Sequence, residues 1–160
     1  MKTRGVLGIM LIVLATFTAF GCATLPSTGV MKAETENYQL PQLPPEGKAI
    51  VYVVRPSQLG TIIRFNVFLD DQEDKSEMGY TRGAQYIYFT VVPGEHKVLS
   101  KAENWAELAF TGKAGDVLFI QQDPVMGIIM ARNNIMRIDD LIGKYLVKTL
   151  SIGTIIKTEK

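Results

Sequence analysis

Few residues in this chain are of a type that does chemistry. His96 is the only histidine. A catalytic histidine needs a nucleophile or an acid partner that the fold sets beside it. Its neighbours Glu95 and Lys97 would point the other way on a strand. Placed just after Pro93-Gly94, His96 fits better as a residue that orders a turn or packs at a sheet edge. The acidic run Asp70, Asp71, Glu73, Asp74 and Glu77 has the oxygens that Ca²⁺ favours, but the EF-hand spacing with its central Gly and final Glu is absent. It reads as a solvated hairpin loop whose charge discourages edge pairing. No metal site and no cofactor is expected. No G-x-S-x-G, H-E-x-x-H or phosphate-loop pattern occurs. A carboxylate pair for glycan cleavage need only be close in space, and no particular pair is marked out. Arg55, ahead of Pro56, could hold an anionic group or pair with a local carboxylate. Tyr86 and Tyr88 share one strand face, and such aromatics can stack on sugars or partner side chains. In sheets they more commonly pack across strands. Arg55, Tyr86 and Tyr88 are thus the candidate binding surface. Met126, Ile128, Ile129 and Met130 could form a partner patch, but at strand spacing the expectation is core.

Cys22 is the only cysteine. It follows Met1-Lys2-Thr3-Arg4 and the apolar run GVLGIMLIVLATFTAF, the anatomy of a secretory signal peptide. That run is short for a membrane span, which needs about 20 apolar residues. Ala19-Phe20-Gly21-Cys22 resembles the lipobox of bacterial lipoproteins, in which small residues precede a cysteine that receives diacylglycerol. Phe20 is bulkier than that pattern usually has. The competing outcome is ordinary signal-peptidase cleavage after Gly21, which leaves a lone thiol on a secreted chain. Lipidation explains why the single cysteine stands where it does, and Cys22 is read as an anchor to the membrane. Each buried methylene of an acyl chain contributes about 0.8 kcal/mol. Ala23, rather than Asp, follows Cys22, which favours the outer membrane, facing the periplasm.

Loss of residues 1–21 leaves 15 Lys and Arg (17 less Lys2 and Arg4) against 16 Asp and Glu. A near-neutral chain lacks the basic face that nucleic-acid capture needs. With one Cys there is no disulfide framework or cysteine-rich metal site, so the domain must be held by its core. Residues 23–47, ATLPSTGVMKAETENYQLPQLPPEG, hold four of the seven prolines and few large apolar groups. Such a segment buries too little to offset its ordering entropy. We read residues 22–47 as a flexible Pro-rich tether spanning about 25–30 Å.

From residue 48 on, short β-branched and aromatic runs alternate with turn signals. KAIVYVV is apolar on both faces, as a central strand is, and ends at Arg55-Pro56. RFNVFLD alternates. YIYFTVV stops at Pro93-Gly94, with EHKVLSKA expected as its hairpin partner. AELAFT and DVLFIQQ follow, separated by GKAG. This punctuation predicts a mainly β fold, a single β-sandwich of short antiparallel strands. Asp139 or Asp140 then caps an amphipathic helix carrying Leu141, Ile142, Tyr145, Leu146 and Thr149, with Gly153 as its stop. The expected organisation is a signal peptide (1–21), a tether (22–47), a sandwich with closing helix (48–153) and a C-terminal tail (154–160).

The ordered set PPEGKAIVYVVRPS, NVFLDD, VVPGEHKV and GKAGDVLFIQQ, followed by MGIIMARNNIMRIDDLIGKYL, resembles a family of small bacterial lipoproteins known as domain of unknown function family 2846. The resemblance spans most of residues 44–150. It implies an envelope β-domain, in style like small PEGA-like carbohydrate-surface modules, with no established activity. Where that family makes a tight Asp-Gly turn, this chain has DDQEDKSEMG. The resulting expectation is a lipid-anchored envelope protein that serves as a non-catalytic interaction module for a protein partner or envelope glycan. The alternatives are an envelope-polymer hydrolase working through two carboxylates, or a purely structural lipoprotein.

Overall fold

The run AIVYVVR forms β1 (Ala49–Arg55), every residue of which is buried. A strand apolar on both faces must be covered on both, and β1 lies at the centre of a mixed five-stranded sheet. The structure, a computed structural model, describes residues 25–128 and 131–160. Residues 1–21, expected as a signal peptide, and Cys22 lie outside the described residues.

In this first sheet β1 pairs antiparallel with β4 (Gln85–Val91) and parallel with β7 (Val117–Val125). The edges are β8 (Arg132–Arg137), antiparallel to β7, and the two-residue β9 (Ser151–Ile152), parallel to β4. The second sheet is antiparallel throughout. Its order is β10 (Thr154–Ile155), β3 (Glu77–Thr81), β2 (Phe65–Leu69), β5 (Gly94–Lys101) and β6 (Trp105–Gly112). A 3₁₀ turn, Asp74–Ser76, interrupts the acidic run before β3.

The alternation along β1 divides the apolar side chains between two layers. Ala49, Val51 and Val53 face the second sheet and pack with Ile87, Phe89, Leu118 and Ile120 against Val67, Leu69, Met78 and Val98. Ile50, Tyr52 and Val54 face the other way, with Tyr86 and Phe119, beneath helix α2 (Asp140–Thr149). Asp139 caps α2, its carboxylate accepting from Leu141 N at 2.8 Å. Leu146 and Val147 are the buried face of the helix. The fold is therefore mainly β, a sandwich of two five-stranded sheets with the C-terminal helix laid on one outer face. The parallel β1–β7 and β4–β9 pairings are additions to the antiparallel pattern read from sequence.

Four local expectations are corrected. Pro93-Gly94 does not close a hairpin: β4 and β5 belong to different sheets, and Gly94 (φ 146°) carries the chain across. The strands differ in what they need covered. β4 has apolar groups on both faces and suits the layer beneath α2, whereas β5 exposes Glu95, Lys97 and Lys101 on one side and suits the solvated sheet.

Residues 22–47 are not a flexible tether over the described part. Ser27 caps helix α1 (Thr28–Thr35), which lies against α2 with Met31 and Thr35 buried. Lys148 of α2 pairs with the Glu34 carboxylate and donates to Glu34 O at 2.6 Å. Composition undercounts such a segment because Met31 and Leu40 settle on surfaces that α2 and β1 have already fixed.

Nor do residues 154–160 form a loose tail. β10 adds an edge strand beside β3, Thr90 N donates to Thr158 O at 2.7 Å, and Lys160 Nζ reaches Asp71 at 2.8 Å. Gly153 lies between β9 and β10 rather than stopping α2. A Cβ there would stand 2.8 Å from Tyr80 O. Among the described residues, no helix is long and apolar enough to cross a membrane.

Candidate contact site at one end of the sandwich

The candidate binding residues do not come together. Arg55 is fully buried rather than at the surface. Its guanidinium donates to Ile63 O at 2.7 Å, Leu59 O at 2.8 Å and Gly60 O at 3.0 Å, and lies 3.8 Å from the Phe65 ring centroid. Burial lowers its pKa, but carbonyl dipoles and the ring face support the charge. Arg55 holds no external anion; it holds the loop 56–64 in place. Tyr86 is buried beneath α2, and half-buried Tyr88 faces Tyr52 across the β1–β4 pair with ring centroids 5.6 Å apart. Burial raises the pKa of Tyr86 and of Tyr52. Cross-strand packing accounts for both tyrosines, and neither offers an open platform. Cys22 lies outside the described residues.

His96 orders the turn after β2. Its Nδ1 sits 3.1 Å from Asp70 Oδ1 and its Nε2 2.9 Å from Val92 O, so both ring nitrogens face oxygen acceptors. Asp70 has φ 71° and accepts from Lys97 N at 3.0 Å, which fixes this uncommon backbone geometry. The acidic run occupies the same end, largely solvated. Among the described residues no group of three or more His, Cys, Asp or Glu side chains stands close enough to hold a metal.

The opposite end differs in character. There β1 leaves at Arg55, β2 enters at Phe65, β5 turns into β6 through residues 102–104, and β7 turns into β8 through residues 126–131. Two of these loops carry bare aliphatic side chains: Leu59 is 65% exposed, Ile62 86%, Met126 94% and Ile128 89%. Met126 and Ile128 thus depart from the core expectation, and Ile129 and Met130 lie outside the described residues. β7 and β8 pair as far as Val125 and Arg132, and Met126 and Ile128 follow beyond the last paired residue of β7. A Cβ on Gly60 would lie 3.8 Å from the Ala131 Cβ, so the two apolar loops are neighbours.

The tip stands on a polar floor. Thr81 donates to Gln122 Oε1 at 2.6 Å, and Gln122 Nε2 donates to Ser100 Oγ at 2.7 Å, all three fully buried and joining the two sheets. Asn133 N donates to Asn104 Oδ1 at 2.7 Å, and Asn104 Nδ2 returns to Asn133 O at 3.0 Å. Ile128 N donates to Glu103 Oε1 at 3.1 Å. The Thr81–Gln122–Ser100 chain is a buried network of the kind that stiffens its surroundings, while the Asn133 side-chain oxygen is left without a partner among the described residues. The exposed aliphatics are therefore carried on loops with specific supports. A shallow cleft of about 510 Å³ between α1 and α2, lined by Lys32, Thr35, Glu36, Asp140 and Lys144, is open to solvent and has no comparable floor.

The family model described as Protein of unknown function (DUF2846) matches residues 45–134, more than half of the chain. The chain belongs to this family. A protein of Haemophilus influenzae described as uncharacterised is 24% identical over 134 residues, covering 82% of this chain and 76% of its own length. The DUF2846 match runs from just before β1 into β8 and takes in both apolar loops. Helix α2 and the C-terminal strands lie beyond it. Sequence reasoning missed the tip because an aliphatic loop residue looks like core when only its type is read. It missed the role of Arg55 because the Arg-Pro signal marks a strand end and says nothing of the loop that folds back over it.

Proposed function

We propose that this DUF2846 chain is a lipid-anchored cell-envelope protein whose sandwich is a non-catalytic contact module. The chain is held through Cys22, and its contact surface is the loop tip formed by Leu59, Ile62, Met126 and Ile128. The observation that carries the reading is this cluster of exposed aliphatics on braced loops. Water opposes such a patch, and patches of this sort mark surfaces that meet another component. The positive leader, apolar run and lone Cys22 support the anchor. The outer membrane, facing the periplasm, is the proposed site.

Intact mass of the protein from its native membrane fraction tests the anchor. The chain from residue 22 should carry the mass of a diacylglycerol and further acyl chains, and Cys22→Ser should abolish both this mass and membrane retention. An unmodified chain starting near Cys22 overturns the anchor.

A further inference from the structure

We propose that the loop tip docks on the membrane itself, with the four aliphatic side chains entering the outer part of a lipid leaflet and the flanking cations meeting anionic headgroups. The inference rests on the reading above that the chain works in the envelope close to a bilayer.

The argument is the pairing of two features at one end of the molecule. The first is shape and chemistry. Leu59, Ile62, Met126 and Ile128 are flexible or aliphatic prongs on adjoining loops. The second is charge. Four exposed cations stand at the strand ends around the prongs: Arg64 before β2, Arg82 after β3, Lys101 ending β5 and Arg132 opening β8. Arg64 and Arg82 lie over the same Tyr80 ring, at 4.9 and 5.4 Å from its centroid, and Lys101 lies 5.2 Å from that of Trp105. The acidic groups at this end are engaged in the scaffold: Glu103 accepts from Ile128 N, and Asp123 accepts from Gln121 Nε2 at 2.8 Å. At the far end carboxylates and lysines are mixed: Glu73 pairs with Lys75, Asp71 with Lys160 and Glu159 with Lys48.

The bare aliphatics thus stand among four exposed cations, whereas the acidic run at the other end is interleaved with lysines. Apolar insertion with a basic rim is how interfacial segments bind anionic bilayers. A second copy docking tip to tip would set these cations against one another.

The test uses the chain from residue 22 with Cys22→Ala, so that neither leader nor lipid carries it to a surface. Co-sedimentation is read with vesicles of phosphatidylcholine containing phosphatidylglycerol, and with phosphatidylcholine alone. The expected result is binding to the anionic vesicles that weakens with salt and falls about tenfold or more in Met126→Ser/Ile128→Ser, two exposed positions whose replacement leaves the melting curve unchanged. An Arg64→Gln/Arg132→Gln pair should lose most of the salt-sensitive part. Absence of vesicle binding, or binding that both pairs leave intact, overturns the proposal. So does tip-dependent self-association without vesicle binding, which would make the tip an interface between copies. The mass measurement on native protein is independent: lipidation with a tip that ignores vesicles sinks this inference and leaves the anchor standing.

Discussion

The Tyr52 hydroxyl grips Gln42 at both backbone groups, donating to its carbonyl at 2.6 Å and accepting from its N–H at 3.0 Å. A side chain from the centre of β1 thereby fastens the Pro-rich segment that composition alone would leave free. Tyr52→Phe keeps the ring stacked on Phe119 and removes both bonds. The expected cost is about 1–2 kcal/mol, with faster proteolytic cleavage within residues 36–47, read by limited digestion and mass spectrometry.

Gly143 presses directly on Phe119. A Cβ there would come within 2.1 Å of Phe119 Cγ and 2.5 Å of its Cβ, at the root of the side chain where little can give. Alanine in a helix interior is ordinarily favourable by about 1 kcal/mol over glycine. Overpacking costs about 1–3 kcal/mol, and more where backbone must move. The clash wins: Gly143→Ala should lower Tm, whereas a peptide copy of α2 with the same change should become more helical.

Arg55→Met should cost about 1–3 kcal/mol, since three part-buried carbonyls of the 56–64 loop lose their charged donor. Arg55→Lys keeps the charge but not the fork that reaches three acceptors, and should recover part of the loss. Chemical denaturation gives the energies. Amide exchange at residues 59–63 should rise before global unfolding in both variants.

The C-terminal strap should be released by acid. Lys160 holds the Asp71 carboxyl well below the ordinary carboxylate range, and Lys48 lowers Glu159. Groups with depressed folded-state pKa stabilise fully above their unfolded values, near 4, and lose that contribution as pH falls through the folded ones. Amide exchange over residues 154–160 should therefore be pH-insensitive, after intrinsic correction, from neutrality down to about pH 5 and accelerate below about pH 4. Lys160→Ala should speed exchange in this segment already at neutral pH and flatten its acid dependence.

The sandwich was legible because β1 is apolar on both faces and the turns are marked by Pro and Gly. The capped helix was legible for a similar reason: Asp139 and the spacing of Leu141, Ile142, Tyr145 and Leu146 are local signals. What failed depended on distant partners. Met31 is buried only because α2, over a hundred residues later, offers it a surface. The Pro93-Gly94 turn reads the same whether the next strand pairs or crosses, and only the demand of β4 for cover on both faces decides. Of the contact site, the residue types at 126 and 128 were noticed and their exposure was not. Hydropathy carries no information on whether a neighbouring sheet extends far enough to shelter a loop.

The last ten residues finish both layers at once, with β9 at the edge of one sheet and β10 at the edge of the other. These two short strands cover the outer edges of β4 and β3, and pairs with a large sequence separation form slowly. Both sheets therefore keep an open edge until residues 151–155 have paired.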